Sequence, residues 1–462
     1  IQYPVWNNSP FKVSYTYDYV GNMSNIGDQT TANAYASYEW NPDGSLYHEK
    51  LMQTNQHVLP VWHWYNAPGW KNYSGYGDTL RLPGLHWTWW GGLWPKVNYS
   101  FSMFSEQQDY NFLTDWWSDL WGQTYYNGNV ASSTYVPATG NPASSLEQGY
   151  LYNDYGNLES YYSSYANESF LSSVVGDIVD AYLRDTLVYD LNGNLALRNF
   201  GKQLEFLSFK DEQYAGACYQ YKISDSHNRP NYMAYSEYST YSYFNYFLYD
   251  TLFVQYNKNG NVNLQQWKHR NISVLKGHPG SVAYQYWKRY DWNLFGQLSS
   301  LSKRDTENDS TYVSFHYANL GMRLQKQVKW YYGSALQKSQ NTTYLRNTNG
   351  DPMMEIITGG TRDTVKYYIW GPNGIEVMTL NDRYTTNSWF VLKDRLGSAK
   401  QLVNRATRAV DEYYATDEYG LLNMDDSKFS GLFNYIYTGQ EYDRESRLHY
   451  FRARMYDPFS KM

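Results

Sequence analysis

The chain has 462 residues, a formal net charge of −6 and 53 tyrosines, and its mean hydropathy is −0.71 although 19% of its residues are aromatic. The acidic balance argues against nucleic acid as a partner, because phosphate binding requires clustered Lys and Arg. No stretch approaches the roughly 20 apolar residues of a membrane span, and the single cysteine, Cys218, excludes an internal disulfide framework. Because Tyr and Trp favour strands, the composition indicates a β-rich chain.

Residues 1–50 introduce a short repeat: an aromatic residue, Asp or Asn, two variable residues, and Gly. Its clearest copies are Tyr17–Gly21, Trp40–Gly44, Tyr152–Gly156, Tyr189–Gly193 and Tyr256–Gly260. We expect each copy to close a hairpin, since Asp or Asn bonds the backbone two residues on and Gly supplies a positive φ. A lone hairpin cannot bury its own apolar face, so neighbours must stack. The predicted fold is an all-β, coiled antiparallel shell with minor helical insertions; an ordinary β-sandwich is the alternative.

In residues 51–150 the repeat fades and tryptophan accumulates, with ten of the 18 Trp between Trp62 and Trp121. Two sets of residues at i, i+4 spacing predict a helix with a broad apolar face: Phe112, Trp116 and Leu120, and Leu113, Trp117 and Trp121. This segment is either a plug that packs into the sheet or a binding surface for a partner or glycan. The candidate binding residues are Trp87, Trp89, Trp90, Trp116, Trp117 and Trp121.

Residues 151–364 carry degenerate copies of the repeat. Looser copies end at Gly296, Gly321, Gly350 and Gly374, and from Gly321 the spacing to Gly350, Gly374, Gly397 and Gly420 is 29, 24, 23 and 23 residues. This regularity predicts stacked turns along one sheet edge, with about one hairpin per ~23 residues. The segment Val174–Leu183 is a second helix candidate, because Val175, Ile178, Val179 and Tyr182 share one side.

Residues 365–462 carry the most specific motifs. Asp394–Ser398, with Arg395 where the family has His, and the loosely matching Glu412–Gly420 resemble segments of the RHS-repeat-associated core of YD-repeat proteins. Thr438–Asp443, followed by Leu448–Pro458, closely resembles the most specific stretch of that core. The signature positions are Asp394, Leu396, Gly397, Ser398, Gly439, Gln440, Tyr442, Asp443, Arg452, Arg454, Tyr456 and Pro458.

The resemblance implies a spiralling β-sheet cocoon, as in polymorphic toxins, the C components of toxin complexes and teneurins. It also implies an aspartyl autoprotease in the toxin members, of which Arg454 and Asp457 match only the upstream part. A dyad needs two carboxylates at one site, so the incomplete core is not expected to self-cleave. We further expect Tyr442, Tyr450, Arg452, Arg454 and Tyr456 to be structural and to alternate between the two faces of a strand. Arg452 and Arg454 are two residues apart and should share a face, where a carboxylate could bind either of them.

No catalytic constellation is recognisable. The spacing of His57, His63 and His86 matches no zinc signature, so surface or turn positions are expected for them, and Cys218 is expected to be a buried thiol. We therefore predict no enzymatic activity, no metal site and no cofactor. Eight Asn-x-Ser/Thr sequons hint at secretion: Asn7, Asn22, Asn72, Asn98, Asn167, Asn271, Asn308 and Asn341.

The leading hypothesis is a secreted, non-enzymatic YD-repeat shell or scaffold for surface assembly or adhesion. A toxin-delivery cage lacking its toxin and a glycan-binding module are the alternatives. The chain begins at Ile1 without a signal peptide and ends within a family motif, so we expect a mature or partial product with open sheet ends. The expected partners are other protein chains or an enclosed polypeptide, and glycans under the third hypothesis, in an extracellular or surface location.

Overall fold

The structure is a computed structural model of the full chain. Side chains are described for residues 12–28, 34–53, 57–63, 65, 74–76, 252–267, 287–304, 308–318, 321–360, 362–382, 384–417, 419–422, 424, 427–452 and 454–458. Elsewhere the structure describes only the backbone of the strands named below. The predicted all-β class is confirmed: the described residues form strands and turns and contain no helix.

The chain divides into two compact units, residues 1–103 with 290–462 and residues 104–289. The first unit begins with seven strands in an antiparallel meander and a separate hairpin. The meander strands are β1 (Gln2–Trp6), β2 (Ser9–Tyr17), β3 (Met23–Asp28), β4 (Ala34–Trp40), β5 (Leu46–Met52), β6 (Val58–Tyr65) and β7 (Lys71–Tyr76), and the hairpin is β8 (Thr79–Trp87) and β9 (Leu93–Phe101).

The second unit is a further antiparallel meander. Its strands are β10 (Phe104–Tyr110), β11 (Val130–Pro137), β12 (Leu146–Tyr152), β13 (Leu158–Tyr165), β14 (Ile178–Tyr189), β15 (Leu195–Phe206), β16 (Gln213–Ser224), β17 (Arg229–Tyr241), β18 (Phe244–Tyr256), β19 (Val262–Ser273) and most of β20 (Val282–Trp292).

The C-terminal part of the first unit contains a long meander and a small four-stranded sheet. The meander strands are β21 (Leu298–Arg304), β22 (Asp309–Tyr317), β23 (Arg323–Tyr332), β24 (Ala335–Arg346), β25 (Pro352–Thr358), β26 (Thr364–Gly371), β27 (Gly374–Asn381), β28 (Thr386–Lys393), β29 (Ala399–Asn404) and β30 (Val410–Tyr413). The small sheet has β31 (Tyr435–Tyr437), β32 (Gln440–Asp443), β33 (Leu448–Tyr450) and β34 (Met455–Tyr456).

One of the two predicted helices is wrong where the structure describes it. Ile178–Leu183, the second half of the candidate helix Val174–Leu183, belongs to strand β14, which pairs along its length with β15. The apolar run is short and rich in β-branched residues, so the ladder to β15 determines its conformation rather than the helical spacing. The candidate helix around Trp116 lies outside the described residues.

The repeat motif forms one recurring turn. In Asp18–Gly21, the side chain of Asp18 accepts hydrogen bonds from Val20 N at 2.9 Å and Asn22 N at 2.8 Å, and Gly21 N donates to Asp18 O at 3.2 Å. The same geometry, with Gly at φ between 75° and 85°, recurs at Asn257–Gly260, Asn293–Gly296, Asn347–Gly350, Asp394–Gly397 and Asp417–Gly420. The predicted Asx turn with a positive-φ glycine is therefore confirmed at these copies, whereas the copies that end at Gly156 and Gly193 lie outside the described residues.

These turns occupy alternate connections of the meander. Five of them join β2 to β3, β18 to β19, β20 to β21, β24 to β25 and β28 to β29, and Asp417–Gly420 follows β30. Two turns that share the same backbone hydrogen bond, Asn41–Gly44 and Ala318–Gly321, join β4 to β5 and β22 to β23. Since consecutive strands are antiparallel, alternate connections of one meander lie at the same end of the strands and so on one side of the sheet. One copy departs from the pattern: Gly374 closes a tight turn in which it pairs directly with Gly371.

The core of the first unit centres on β26 to β29. Val365–Ile369, Ile375–Thr379 and Trp389–Lys393 are runs of five consecutive buried residues, whereas β22 alternates buried and accessible residues. Continuous burial means that both faces of the sheet are covered. One face packs on a cluster that includes Phe433, Tyr435 and Ile436 of the C-terminal segment.

The other face of these strands packs on the N-terminal meander. Tyr76 donates a hydrogen bond to the carbonyl of Lys393, and Arg405 donates to Met52 O at 2.7 Å. The Arg405 guanidinium also lies 4.6 Å from the centroid of the Tyr35 ring. The first unit is therefore closed by contacts between segments more than 300 residues apart in sequence.

Two glycines allow the contribution of turn conformation to be measured. A Cβ on Gly397, at φ 80°, would meet nothing within 4 Å, whereas a Cβ on Gly359, at φ 83°, would lie 2.7 Å from Ser339 O. We expect Gly397→Ala to lower the free energy of unfolding by about 1–2 kcal/mol, the cost of the left-handed conformation alone. Gly359→Ala should cost more, because a backbone clash is added. Chemical denaturation of both variants checks the order, and equal losses would contradict it.

Candidate functional site

The C-terminal signature segment lies against a set of buried charges on β23 and β24. Arg323 is completely buried, and its guanidinium forms ion pairs with Glu441 at 2.7 Å and with Asp443 at 2.7 Å. Lys326 adds ion pairs with Asp443 at 3.0 Å and with Glu445 at 3.2 Å. The network of these residues, with Arg346, joins strands β23 and β24 to β32, about 100 residues later in the chain.

The network supplies each carboxylate with several partners. Glu441 also pairs with Arg346 at 3.1 Å and accepts a hydrogen bond from the Tyr344 hydroxyl at 2.6 Å. Burial opposes ionisation of Glu441, but the cations of Arg323, Arg346 and Lys326 lower its pKa to about 2. Burial likewise opposes the charge on Lys326, yet Asp443 and Glu445 raise its pKa above the ordinary lysine value. The shifts therefore favour the charged forms of Glu441 and Lys326.

Aromatic rings enclose the Arg323 guanidinium. Its central carbon lies 4.3 Å from the centroid of Tyr450, and 5.2 Å from those of Phe315 and Tyr344. Tyr450 also donates its hydroxyl to Gly321 O at 2.9 Å and accepts from Arg323 N at 3.0 Å. Desolvated cation–π contacts of this kind stabilise a buried cation. Tyr450, which lies in the signature segment, therefore connects β33 to the turn before β23.

A second buried carboxylate, Glu412, organises the loop before β31. Its Oε1 accepts from Ser430 N at 2.7 Å and Leu432 N at 3.0 Å, and its Oε2 accepts from Phe433 N at 3.1 Å and the Tyr414 hydroxyl at 2.6 Å. Glu412 is 1% exposed. One carboxylate therefore replaces the missing ladder partners of three backbone amides.

The other signature residues also take structural positions. Asp394, Leu396, Gly397 and Ser398 form a repeat turn in which Ser398 N donates to Asp394 Oδ1 at 2.8 Å. Ser398 Oγ then accepts from Thr438 N at 3.1 Å, beside Gly439 at φ 68°. Gln440 begins β32, Tyr442 and Pro458 are buried, and the Tyr456 hydroxyl donates to Tyr419 O at 3.0 Å.

The expectation that Arg452 and Arg454 share a strand face is wrong. Both lie in the turn between β33 and β34, where Arg452 has φ 58°. Arg452 is exposed and pairs with Asp351 at 2.6 Å, and Arg454 is exposed. Strand β33 ends at Tyr450 after three residues, and the residues that follow form the turn. The alternating pattern of the sequence did not indicate this early end of the strand. Asp457, the other residue of the partial autoprotease match, is buried.

A second polar cluster lies between the N-terminal meander and β27 to β28. His63 bridges Ser74 Oγ, 2.9 Å from its Nδ1, and Glu49 Oε1, 2.8 Å from its Nε2. Asn373 donates to the same Glu49 oxygen at 2.6 Å, and Lys393 contacts Glu376 at 3.2 Å. Burial and the nearby Glu49, opposed by Lys393, raise the pKa of Glu376 to about 7.

The Ser74–His63–Glu49 contacts resemble the connectivity of a nucleophile, a base and an orienting carboxylate. All three side chains are about 5% exposed or less, and Ser74 and His63 are absent from the lining of the adjoining 230 Å³ cavity. The three residues are neighbours across β5, β6 and β7, so the contacts join adjacent strands. The expected surface position of His63 is therefore wrong, while His57 is exposed.

The remaining candidates are only partly described. Asn308 is exposed, Asn22 is partly buried, and Asn341 has its Oδ1 buried without a hydrogen-bond partner in the described part. The side chains of Asn72, Asn98, Asn167, Asn271, His86, Cys218 and the six candidate tryptophans lie outside the described residues. Within the described ranges, no three or more His, Cys, Asp or Glu side chains are arranged to hold a metal, and no helix could cross a bilayer.

Sequence comparison finds a partial likeness to a curated protein. No family model matches the chain. Salivary gland surface protein 1 of Aedes aegypti is 24% identical over 200 residues, which cover 41% of this chain and 6% of that protein. The chain therefore corresponds to a small part of a much longer relative that is described as a surface protein.

Proposed function

We propose that the chain is a non-enzymatic YD-repeat scaffold of a secreted or surface protein, related to the RHS-repeat-associated core. The observation that carries this proposal is the placement of the signature segment. Glu441, Asp443, His449 and Tyr450 are all 3% exposed or less. Their contacts go to strands and turns of the meander rather than to an open cavity, so the segment acts as a closing element for the repeat sheet.

Location outside the cell is the second part of the proposal. Its support is the partial likeness to a protein described as a salivary gland surface protein, together with the exposed sequon at Asn308. Assembly with other protein chains is the third part, because an antiparallel meander has edge strands that natural proteins pair or cover.

Measuring secretion of the intact parent chain tests both the extracellular location and the role of the signature segment in closing the repeat sheet. We expect an epitope tag in the exposed turn at Gly44 to be detected on unpermeabilised cells or in the medium. Asp443→Asn should reduce secretion strongly because it unbalances the buried network, while Asp351→Asn, at the exposed Arg452 pair, should not. Retention of the wild-type chain inside the cell would contradict the extracellular scaffold.

Assembly is measured on the purified chain by size-exclusion chromatography with light scattering. We expect a mass of two or more chains of 54.4 kDa each, or co-elution with a second protein, since edge strands pair readily. A stable, monodisperse monomer at all concentrations would overturn the proposed assembly without affecting the closing role of the signature segment.

A further inference from the structure

A polar cleft of about 830 Å³ lies between one face of β22 to β26 and the C-terminal segment around residues 430–445. Cross-strand pairing places its floor residues in rows. Thr311 is opposite Trp330 and Trp330 is opposite Lys338, and Tyr344 is opposite Glu355 and Glu355 is opposite Lys366. The volume is within the about 300–1,000 Å³ of small-molecule pockets. The cleft is therefore a built feature of the sheet rather than a gap between loops.

The floor of the cleft includes a buried ammonium. Lys366 is 3% exposed, and its Nζ donates to Leu432 O at 2.7 Å and contacts Gly431 O at 3.5 Å. Within the part of the chain that the structure describes, no carboxylate oxygen lies within ion-pair distance of this Nζ. Burial lowers the pKa of Lys366, although Glu355 and Glu412 act in the opposite direction. A buried cation whose hydrogen-bond partners are carbonyl oxygens favours the binding of an anion beside it.

The charge of the lining has the opposite sign to that of the whole chain. Five cationic residues face three carboxylates in a protein of net charge −6. The cations are Lys303, Lys326, Lys338, Lys366 and Arg444, and the carboxylates are Asp309, Glu355 and Glu445. Three carboxylates reduce this excess, and Lys326 is itself paired with Asp443 and Glu445. The remaining positive balance of the lining attracts anions against the overall repulsion.

The neutral lining favours a ligand rich in hydroxyl groups. Ser310, Thr311, Gln337, Gln340, Thr342 and Asn434 supply hydroxyls and amides that both donate and accept hydrogen bonds. Trp330 provides an aromatic ring at the floor, with Lys338 Nζ 5.0 Å from its centroid. Ile357 is the one aliphatic side chain among the described residues of the lining, so the cleft is poorly suited to a lipid chain.

We propose that this cleft binds an acidic oligosaccharide, whose carboxylate or sulfate groups pair with the lysines and whose hydroxyls bond the amides and hydroxyls. The site is distinct from the Trp-rich segment predicted for glycan binding from the sequence. It shares Lys326 and Glu445 with the ion network around Arg323 that carries the scaffold proposal, but ligand binding at Lys366 and Lys338 is tested separately from that role.

Calorimetric titration of the full chain with three tetrasaccharides tests the proposal. The probes are a heparin-derived tetrasaccharide, which carries sulfates and carboxylates, a hyaluronan tetrasaccharide, which carries carboxylates only, and neutral cellotetraose. We expect the heparin probe to bind and cellotetraose not to bind. Binding of hyaluronan would assign recognition to carboxylates, and its failure would assign recognition to sulfates. Failure of both acidic probes, or equal binding of cellotetraose, would overturn the proposal.

Three lysine variants separate the cleft from general electrostatic attraction. We expect Lys366→Met to weaken binding of the heparin probe by about tenfold or more, the loss of one charged hydrogen bond. Lys338→Ala, at the accessible rim, should weaken it several-fold without risk to folding. Lys329→Ala removes the same charge from the opposite face of β23 and should bind as wild type. Unchanged binding in both cleft variants would overturn the proposal, as would an equal loss in Lys329→Ala.

Discussion

Replacing Arg323 with methionine is expected to lower the free energy of unfolding by about 3–5 kcal/mol, the range for breaking a buried ion pair. The loss follows from what remains, since Glu441 and Asp443 are each 2% exposed or less and would each lose one cationic partner in a site that water does not reach. Methionine preserves much of the side-chain volume, so a cavity adds little. The midpoint of chemical denaturation measures the change.

Arg452→Met is the matched control. Arg452 also pairs with an aspartate at 2.6 Å, but its side chain is 52% exposed, and exposed pairs contribute about 0–1 kcal/mol. Adding Glu441→Gln to Arg323→Met should restore part of the lost stability, because it removes one of the two carboxylates that lost a cationic partner and leaves Asp443 with Lys326. Equal effects of the two single arginine variants would show that burial of the network is unimportant.

The sequence predicted the local unit of this fold well. Asp or Asn at the turn start and Gly three residues later determine the conformation by local hydrogen bonds and by φ, so Asp18–Gly21 and Asp394–Gly397 follow directly from the residues. Alternate turns on one edge follow from the spacing. Val174–Leu183 was misassigned because short apolar runs fit a helix and a strand equally, and only the pairing of β14 with β15 decides between them.

The polar sites could not be predicted in the same way. Arg323 meets Asp443 across 120 residues, and Asn373 meets Glu49 across 324, so neither partner carries a local signal. The resemblance marked Asp443 and Tyr442 as important but gave no partner for them. Lys326 and Lys366 look like ordinary alternating polar residues of half-buried strands. Their burial follows from the C-terminal segment, which covers the face on which they lie.

The second large effect concerns pH and the second polar cluster, which includes Glu376. The pKa of this carboxyl is about 7 in the folded chain, above the ordinary glutamate value of about 4.3 in the unfolded chain. A carboxyl with a raised folded-state pKa contributes stability that is present at low pH and is lost as the pH rises through the folded pKa. We therefore expect ionisation of Glu376 to lower the free energy of unfolding by about 3 kcal/mol between pH 4.5 and pH 8.

Glu376→Gln should remove this slope, because the amide does not titrate. The informative quantity is the change in unfolding free energy from pH 5 to pH 8 in each protein, since Lys393 also loses a partner in the variant. Glu39→Gln is the matched control: Lys50 and Tyr47 lower the pKa of Glu39 to about 2, below the tested range, so its slope should equal that of the wild type. The network carboxylate Glu441, also at about 2, acts with the opposite sign and only below about pH 4.3. If Glu376→Gln and wild type keep the same slope, the contact between the N-terminal meander and β27 does not depend on a protonated carboxyl.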